Sequence, residues 1–125
     1  MRSAHIAILD DDDSVRTAIT RLLKAAGLAA KAHPNFNAFR SSLDDEYPDC
    51  LVLDLHMPDV DGMEVMRYLR RESINLPIIM ISAHDEVDVR NACFGLGALS
   101  YLTKPLDAEK LLLAIENATS AARAE

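Results

Sequence analysis

What this 125-residue chain lacks narrows its function before any motif is read. It has no excess of basic charge, because 13 Lys and Arg against 20 Asp and Glu leave a formal net charge of -7 at pH 7. Phosphate backbones are held by Lys and Arg, so this domain is not expected to bind nucleic acid directly. No apolar run approaches the roughly 20 residues that cross a bilayer. The N-terminus carries no signal-peptide pattern, since Ile6 to Leu9 runs straight into four aspartates. A cytoplasmic protein without membrane association is the expectation.

Cysteine is scarce as well. Cys50 and Cys93 each lie in an apolar context, with no CxxC and no Cys/His ligand spacing, so both read as reduced core residues. Neither GxxxxGK[ST] nor GxGxxG occurs, so nothing cradles a nucleotide. Solenoid repeats, low-complexity segments and linkers are missing too. What remains is 50% hydrophobic and 26% charged, the balance of one soluble globular domain spanning 1–125.

Strand and helix patterns alternate from end to end. His5 to Leu9 reads as a first strand, with Asp10 to Asp13 forming its exit loop and the cap of a helix that carries Val15, Ile19, Leu22, Leu23 and Ala26 and stops at Gly27. Leu28 to His33 is a weaker strand suited to a sheet edge. Beyond Pro34, Asn35 caps a helix with Phe36, Phe39 and Leu43 inward. Cys50 to Leu53 is a third strand, and a helix from Met63 turns Val65, Met66 and Leu69 inward and Arg67, Arg70 and Arg71 outward. Ile78 to Ile81 is a continuous apolar run, the signature of a strand buried on both faces. Asp85 is placed to cap the next helix, through Val89, Cys93 and Leu96, which Gly95 and Gly97 close. Leu99 to Thr103 is the fifth strand, and after Lys104-Pro105 a final helix from about Asp107 buries Leu111, Leu112 and Ile115. Such a series of β-α units predicts an α/β fold, a single doubly wound five-stranded parallel sheet of flavodoxin type, strand order 2-1-3-4-5, with helices on both faces.

The chemistry gathers at strand ends. Asp10 and Asp11 follow the first strand and Asp54 the third; in a doubly wound sheet these strands are neighbours, so the three carboxylates converge at the switch point. Such a cluster repels itself unless a cation resolves it, and ligands that are all oxygen suit Mg²⁺, with Mn²⁺ possible, rather than zinc. Taken alone, Asp10 to Asp13 reads equally well as a solvated turn with a helix cap. Ser82 ends the fourth strand, where its hydroxyl can donate to an incoming oxygen. Lys104 ends the fifth, where its ammonium can pair with Asp54 or an anion attached to it. Pro105 pins where that lysine points, and such X-Pro bonds are sometimes cis. A carboxylate nucleophile, a metal, a hydroxyl and a lysine suffice for phosphoryl transfer onto Asp54 from another protein or a small phosphorylated molecule.

These motifs resemble a known family. Asp-Asp after the first strand, Asp-Leu-His-Met-Pro-Asp-Val-Asp-Gly from Asp54, Ser-Ala at Ser82 and Tyr-Leu-Thr-Lys-Pro from Tyr101 are similar to the receiver domain of two-component response regulators, over about His5 to Ala118. The run from Leu9 to Arg16 looks most like the FixJ/NarL type of transcriptional regulator. The resemblance implies that a sensor histidine kinase phosphorylates Asp54, with Asp11, Asp54 and the backbone carbonyl of His56 on Mg²⁺, Asp10 acting through water, and Ser82 and Lys104 on the phosphoryl oxygens. It implies a switch in which Ser82 and Tyr101 move together. It also implies that His56, His84 and the small Ala83 modulate rates from the rim of the site. The face formed by the fourth helix, fifth strand and fifth helix would meet an effector domain or partner, with a homodimer possible on phosphorylation.

The expected role is that of a phosphoacceptor signalling domain, with self-phosphorylation and autodephosphorylation chemistry but no turnover of a substrate, cut from a longer regulator of transcription. Two alternatives stand beside it. One is a stand-alone receiver that works by protein–protein interaction, in one form without phosphate, although Asp11, Asp54 and Lys104 are all present. The other is a Mg²⁺-dependent phosphatase with an aspartyl nucleophile, in which a second acid commonly occupies the position where this chain has His56.

Overall fold

The computed structural model describes residues 4–124, with side chains through residue 120. Ten elements alternate along it: β1 (His5–Leu9), α1 (Asp13–Ala25), β2 (Ala29–His33), α2 (Phe36–Ser42), β3 (Cys50–Asp54), α3 (Gly62–Arg71), β4 (Ile78–Ser82), α4 (Val87–Gly95), β5 (Ser100–Thr103) and α5 (Ala108–Ala124). The strands form one sheet in the order β2-β1-β3-β4-β5, and all four pairings are parallel. The expected sheet and its order are therefore observed.

The period-2 alternation of each strand builds two cores rather than one. On one face Ala7, Leu9, Leu51, Leu53, Ile78 and Met80 pack against Phe39, Val65, Met66, Leu69 and Cys93 of α2, α3 and α4. On the other, Ile6, Ile8, Cys50, Val52, Ile79 and Ile81 pack against Ile19 and Leu23 of α1 and Leu111, Ala114, Ile115 and Ala118 of α5. Burial on both faces is why β3 and β4 read as unbroken apolar runs. Both cysteines are free and buried. Burial, with Asp49 nearby, pushes the Cys50 thiol up to about 12, and burial raises that of Cys93.

Local chemistry sets the helix starts. Asp12 caps α1 by accepting from the N–H groups of Ser14 at 2.8 Å and Val15 at 3.3 Å. Asn35 caps α2 as expected, accepting from Ala38 N–H at 2.9 Å. Helix α3 begins one residue earlier than its periodicity predicts, at Gly62, because Asp61 accepts from Glu64 N–H at 2.9 Å. For α4 the expected cap is displaced: Glu86 holds that position without a side-chain bond, and Asp85 instead accepts from Arg90 at 3.2 Å. Leu112 is only half-buried, while Leu111 and Ile115 are buried as expected.

Gly62 positions the sheet edge that matters most. A Cβ at this residue would meet the Asp54 carbonyl oxygen at 2.9 Å, Met80 Sδ at 2.9 Å and Leu55 Cα at 3.0 Å. Two of those neighbours are backbone and cannot yield, so α3 docks against the end of β3 only because Gly62 has no side chain. Its N–H also donates to the Leu55 carbonyl at 2.8 Å, fixing the return of the loop. We expect Gly62→Ala to destabilise the chain by about 1–3 kcal/mol through overpacking, read as a lower urea midpoint at unchanged slope.

Candidate functional site

The four consecutive aspartates divide into four roles. Asp10, fully buried at the end of β1, accepts the Asp12 N–H on Oδ1 at 2.9 Å and presents Oδ2 to Lys104 Nζ at 2.9 Å. Its backbone is held too: the N–H donates to the His33 carbonyl at 3.3 Å, and the carbonyl accepts Arg16 Nη1 at 2.6 Å. Asp11 is exposed and brings a carboxylate oxygen toward Asp10 and Asp54. Asp12 is the helix cap, and the Ser14 hydroxyl together with the N–H groups of Val15 and Ser14 holds its carboxyl below the usual range. Asp13 opens the first turn of α1 and pairs with Arg16.

Asp54 closes β3 and is 3% exposed. Burial and then the neighbouring Asp10 push its carboxyl up to about 7, against the opposing pull of Lys104 and the His56 N–H. Lys104 Nζ lies 3.4 Å from Asp54 Oδ1, farther than its contact with Asp10. Burial works against the ammonium, but the hydrogen bond to Asp10 and the charges of Asp54 and Asp10 hold it above its ordinary range. The predicted partner of Lys104 is thus present, but its closer partner is Asp10. The Lys104–Pro105 peptide is cis, and the Lys104 N–H donates to the Ser82 carbonyl at 2.7 Å, tying β5 to the end of β4.

Ser82 is fully buried at the end of β4. Its Oγ accepts from the His84 N–H at 3.0 Å, which leaves the hydroxyl proton free to be donated. Tyr101 is half-buried, and its hydroxyl donates to the His84 carbonyl at 2.7 Å. His56, Ala83 and His84 are exposed, and the two imidazole rings meet edge-to-face with centroids 5.1 Å apart and an interplanar angle of 81°. That ring contact and the Arg16 bond behind Asp10 were not predicted. The only sequence signal for the first is that each histidine falls two residues beyond a strand-end residue of the site.

Asp10, Asp11 and Asp54 each offer a carboxylate oxygen, and these oxygens lie within 4.8 Å of one another. The group is large enough in charge, and hard enough in donor type, to hold a divalent cation of the magnesium class. Apart from Tyr101, which sits second in β5 opposite Met80, the predicted site residues therefore fall at one edge of the sheet, the carboxyl ends of β1, β3, β4 and β5.

Comparison with known proteins decides the family. The response regulator receiver domain model matches residues 6–116. This chain belongs to that family. The receiver domain is 32% identical to part of the DNA-binding transcriptional regulator NtrC of Proteus hauseri, over 94% of this chain and 25% of NtrC. It is 34% identical to part of the response regulator protein TodT of Pseudomonas putida, over 94% of this chain and 52% of TodT. It thus spans between a quarter and about half the length of these curated relatives. Among solved structures, FixJ-N superposes with a TM-score of 0.87 at 33% identity, covering 96% of each chain. A response regulator receiver protein from Burkholderia phymatum superposes at 0.84 and 34% identity, covering 94% of this chain and 96% of that one. Among the described residues no helix is long and apolar enough to cross a membrane.

The elevated Asp54 carboxyl has a consequence for stability. An acid that holds its proton more tightly when folded stabilises the fold fully below its ordinary value of 3.8 and loses that contribution as pH rises through about 7. With a chelator present, the wild-type receiver should therefore lose roughly 2 kcal/mol against Asp54→Asn between about pH 5 and pH 8. Urea denaturation at the two pH values measures it.

Proposed function

We propose that Asp54 is the phosphoacceptor of this receiver domain, and that its phosphorylation by a sensor histidine kinase is the input to which the domain responds. The convergence of Asp10, Asp11, Lys104 and Ser82 on Asp54 at one sheet edge carries the reading.

In this reading an ionised Asp54 oxygen attacks phosphorus in line. The new oxygen–phosphorus bond forms as the bond to the donor's nitrogen or oxygen breaks, and the electron pair of that bond leaves with the donor. Asp11, Asp54 and the His56 carbonyl would hold Mg²⁺ directly and Asp10 through water; when bound, the ion supplies positive charge that offsets the carboxylates and the phosphoryl oxygens. Lys104 is already charged and shared between two carboxylates, so it can swing its ammonium onto a phosphoryl oxygen without acquiring a proton. Ser82, with its acceptor side engaged by His84, donates its hydroxyl proton to another such oxygen. His56, Ala83 and His84 form the exposed rim and set access to the phosphorylated aspartate, and hence its lifetime.

The same hydrogen bonds supply the output. Movement of Ser82 toward a phosphoryl group pulls on the His84 N–H, and the His84 carbonyl in turn releases or redirects the Tyr101 hydroxyl. Tyr101 lies on β5, which contacts both α4 and α5, and Phe94 of α4 and Leu99 just before β5 are exposed. The face of α4, β5 and α5 would pass the signal to an effector domain, a partner protein or a second phosphorylated copy, in keeping with relatives that are transcriptional regulators.

The test is direct labelling. Incubation with acetyl phosphate and Mg²⁺ should add the mass of one phosphoryl group to the wild type and none to Asp54→Asn; equal labelling of both removes Asp54 from the role. Tyr101→Ala should accept phosphate within about twofold of the wild-type rate yet lose the phosphorylation-dependent shift of the α4 and β5 amide resonances, because Tyr101 contacts the relay and not the reacting atoms.

A further inference from the structure

We propose that His56 and His84 form a two-imidazole site for a borderline transition ion of the zinc class, and that filling it clamps the loops after β3 and β4 over Asp54. Geometry carries the first half. A zinc–nitrogen bond of about 2.1 Å puts the ion about 3.2 Å from an imidazole centroid, so two rings at a tetrahedral angle have centroids about 5.2 Å apart. The observed separation is 5.1 Å. Both rings are exposed, so their terminal torsions are open to rotation, and the site forms where that rotation turns a nitrogen of each toward a shared ion. Solvent supplies the remaining ligands.

Donor type keeps this site apart from the carboxylates nearby. Imidazole prefers zinc, nickel, cobalt and copper, whereas the Asp10, Asp11 and Asp54 oxygens suit magnesium, so one sheet edge carries two sites of different hardness. The second half of the proposal rests on Asp54 as phosphoacceptor. His84 donates its N–H to Ser82 and accepts from Tyr101 through its carbonyl. An ion that ties the His84 ring to the His56 ring therefore fixes the segment that must follow Ser82, and it bridges the rim through which a phosphoryl donor reaches Asp54.

Isothermal titration of the full chain with Zn²⁺, in excess Mg²⁺ to occupy the carboxylates, should give one zinc per chain. His56→Gln and His84→Gln should each weaken it by about tenfold or more, while Asp11→Asn leaves it within about threefold. Titration with Co²⁺ should bring up visible bands of tetrahedral intensity in the wild type that both glutamine variants lose. No zinc binding, binding indifferent to both histidines, or binding lost in Asp11→Asn overturns the site. Zinc should also slow acetyl phosphate labelling of the wild type and not of His84→Gln; equal slowing of both, or no slowing with zinc bound, overturns the clamp. Absence of labelling in every sample without zinc would count against Asp54 as acceptor, and the titration would still judge the site.

Discussion

The site depends on one ammonium held between two buried carboxylates. Asp10 and Asp54 are the last residues before chain turns on adjacent parallel strands, and burial of both would leave like charges facing each other in a medium that screens them poorly. Lys104 relieves this from a third strand, 2.9 Å from one and 3.4 Å from the other. The relief is partial. Burial and the neighbouring Asp10 still push the Asp54 carboxyl up to about 7, so its anion gains from a further cation. In the proposed function, a group with that property suits a nucleophile that must be ionised only when the rest of the machinery is assembled.

The fold supplies this arrangement at no conformational cost to the site. Parallel strands end in register, Leu9 beside Leu53 and Asp54 beside Ile81, so residues far apart in sequence emerge side by side at one edge. The same edge is where α1 and α3 begin, and their caps are aspartates of the site's own loops. Asp12 and Asp61 are consumed by helix N-termini, which leaves Asp10, Asp11 and Asp54 free of that duty. Gly62 then lets α3 press against the backbone of Asp54, so Asp54 is braced from behind by a contact that a larger residue would not permit.

Much of this was legible in the sequence, for reasons that separate what was read from what was missed. Continuous apolar runs at Cys50 to Leu53 and Ile78 to Ile81 read as strands buried on both faces, and helical spacing between them calls for crossovers; the order 2-1-3-4-5 is one of the arrangements such doubly wound sheets adopt. Site residues were legible because each breaks an apolar run at its carboxyl end. What periodicity cannot encode is where a side chain points across the sheet edge. Lys104 is equally able to reach Asp10 or Asp54 as a sequence, and the structure brings it closer to Asp10, 2.9 Å against 3.4 Å. Asp85 carries the right residue type for a cap, yet Arg90 claims its carboxylate and the helix starts beyond it. The ring contact of His56 with His84 joins two loops 28 positions apart, visible only once β3 and β4 are neighbours.

The proposed relay from Ser82 to Tyr101 uses only the backbone of His84: its N–H meets the serine hydroxyl, and its carbonyl meets the phenol. Any residue there except proline, which lacks the N–H, can make those two bonds, so the proposed switch does not require the imidazole. It is therefore free to do something else, and the structure places it against the one other imidazole at the rim. An edge-to-face pair of exposed rings contributes only about 0.5–1.5 kcal/mol. That is enough to hold the two rings near each other and too little to stop a ligand from pulling them onto itself. Under the proposed function, backbone and side chain of one residue thus carry separable tasks, the first in transmitting the state of Asp54 and the second in controlling who reaches it.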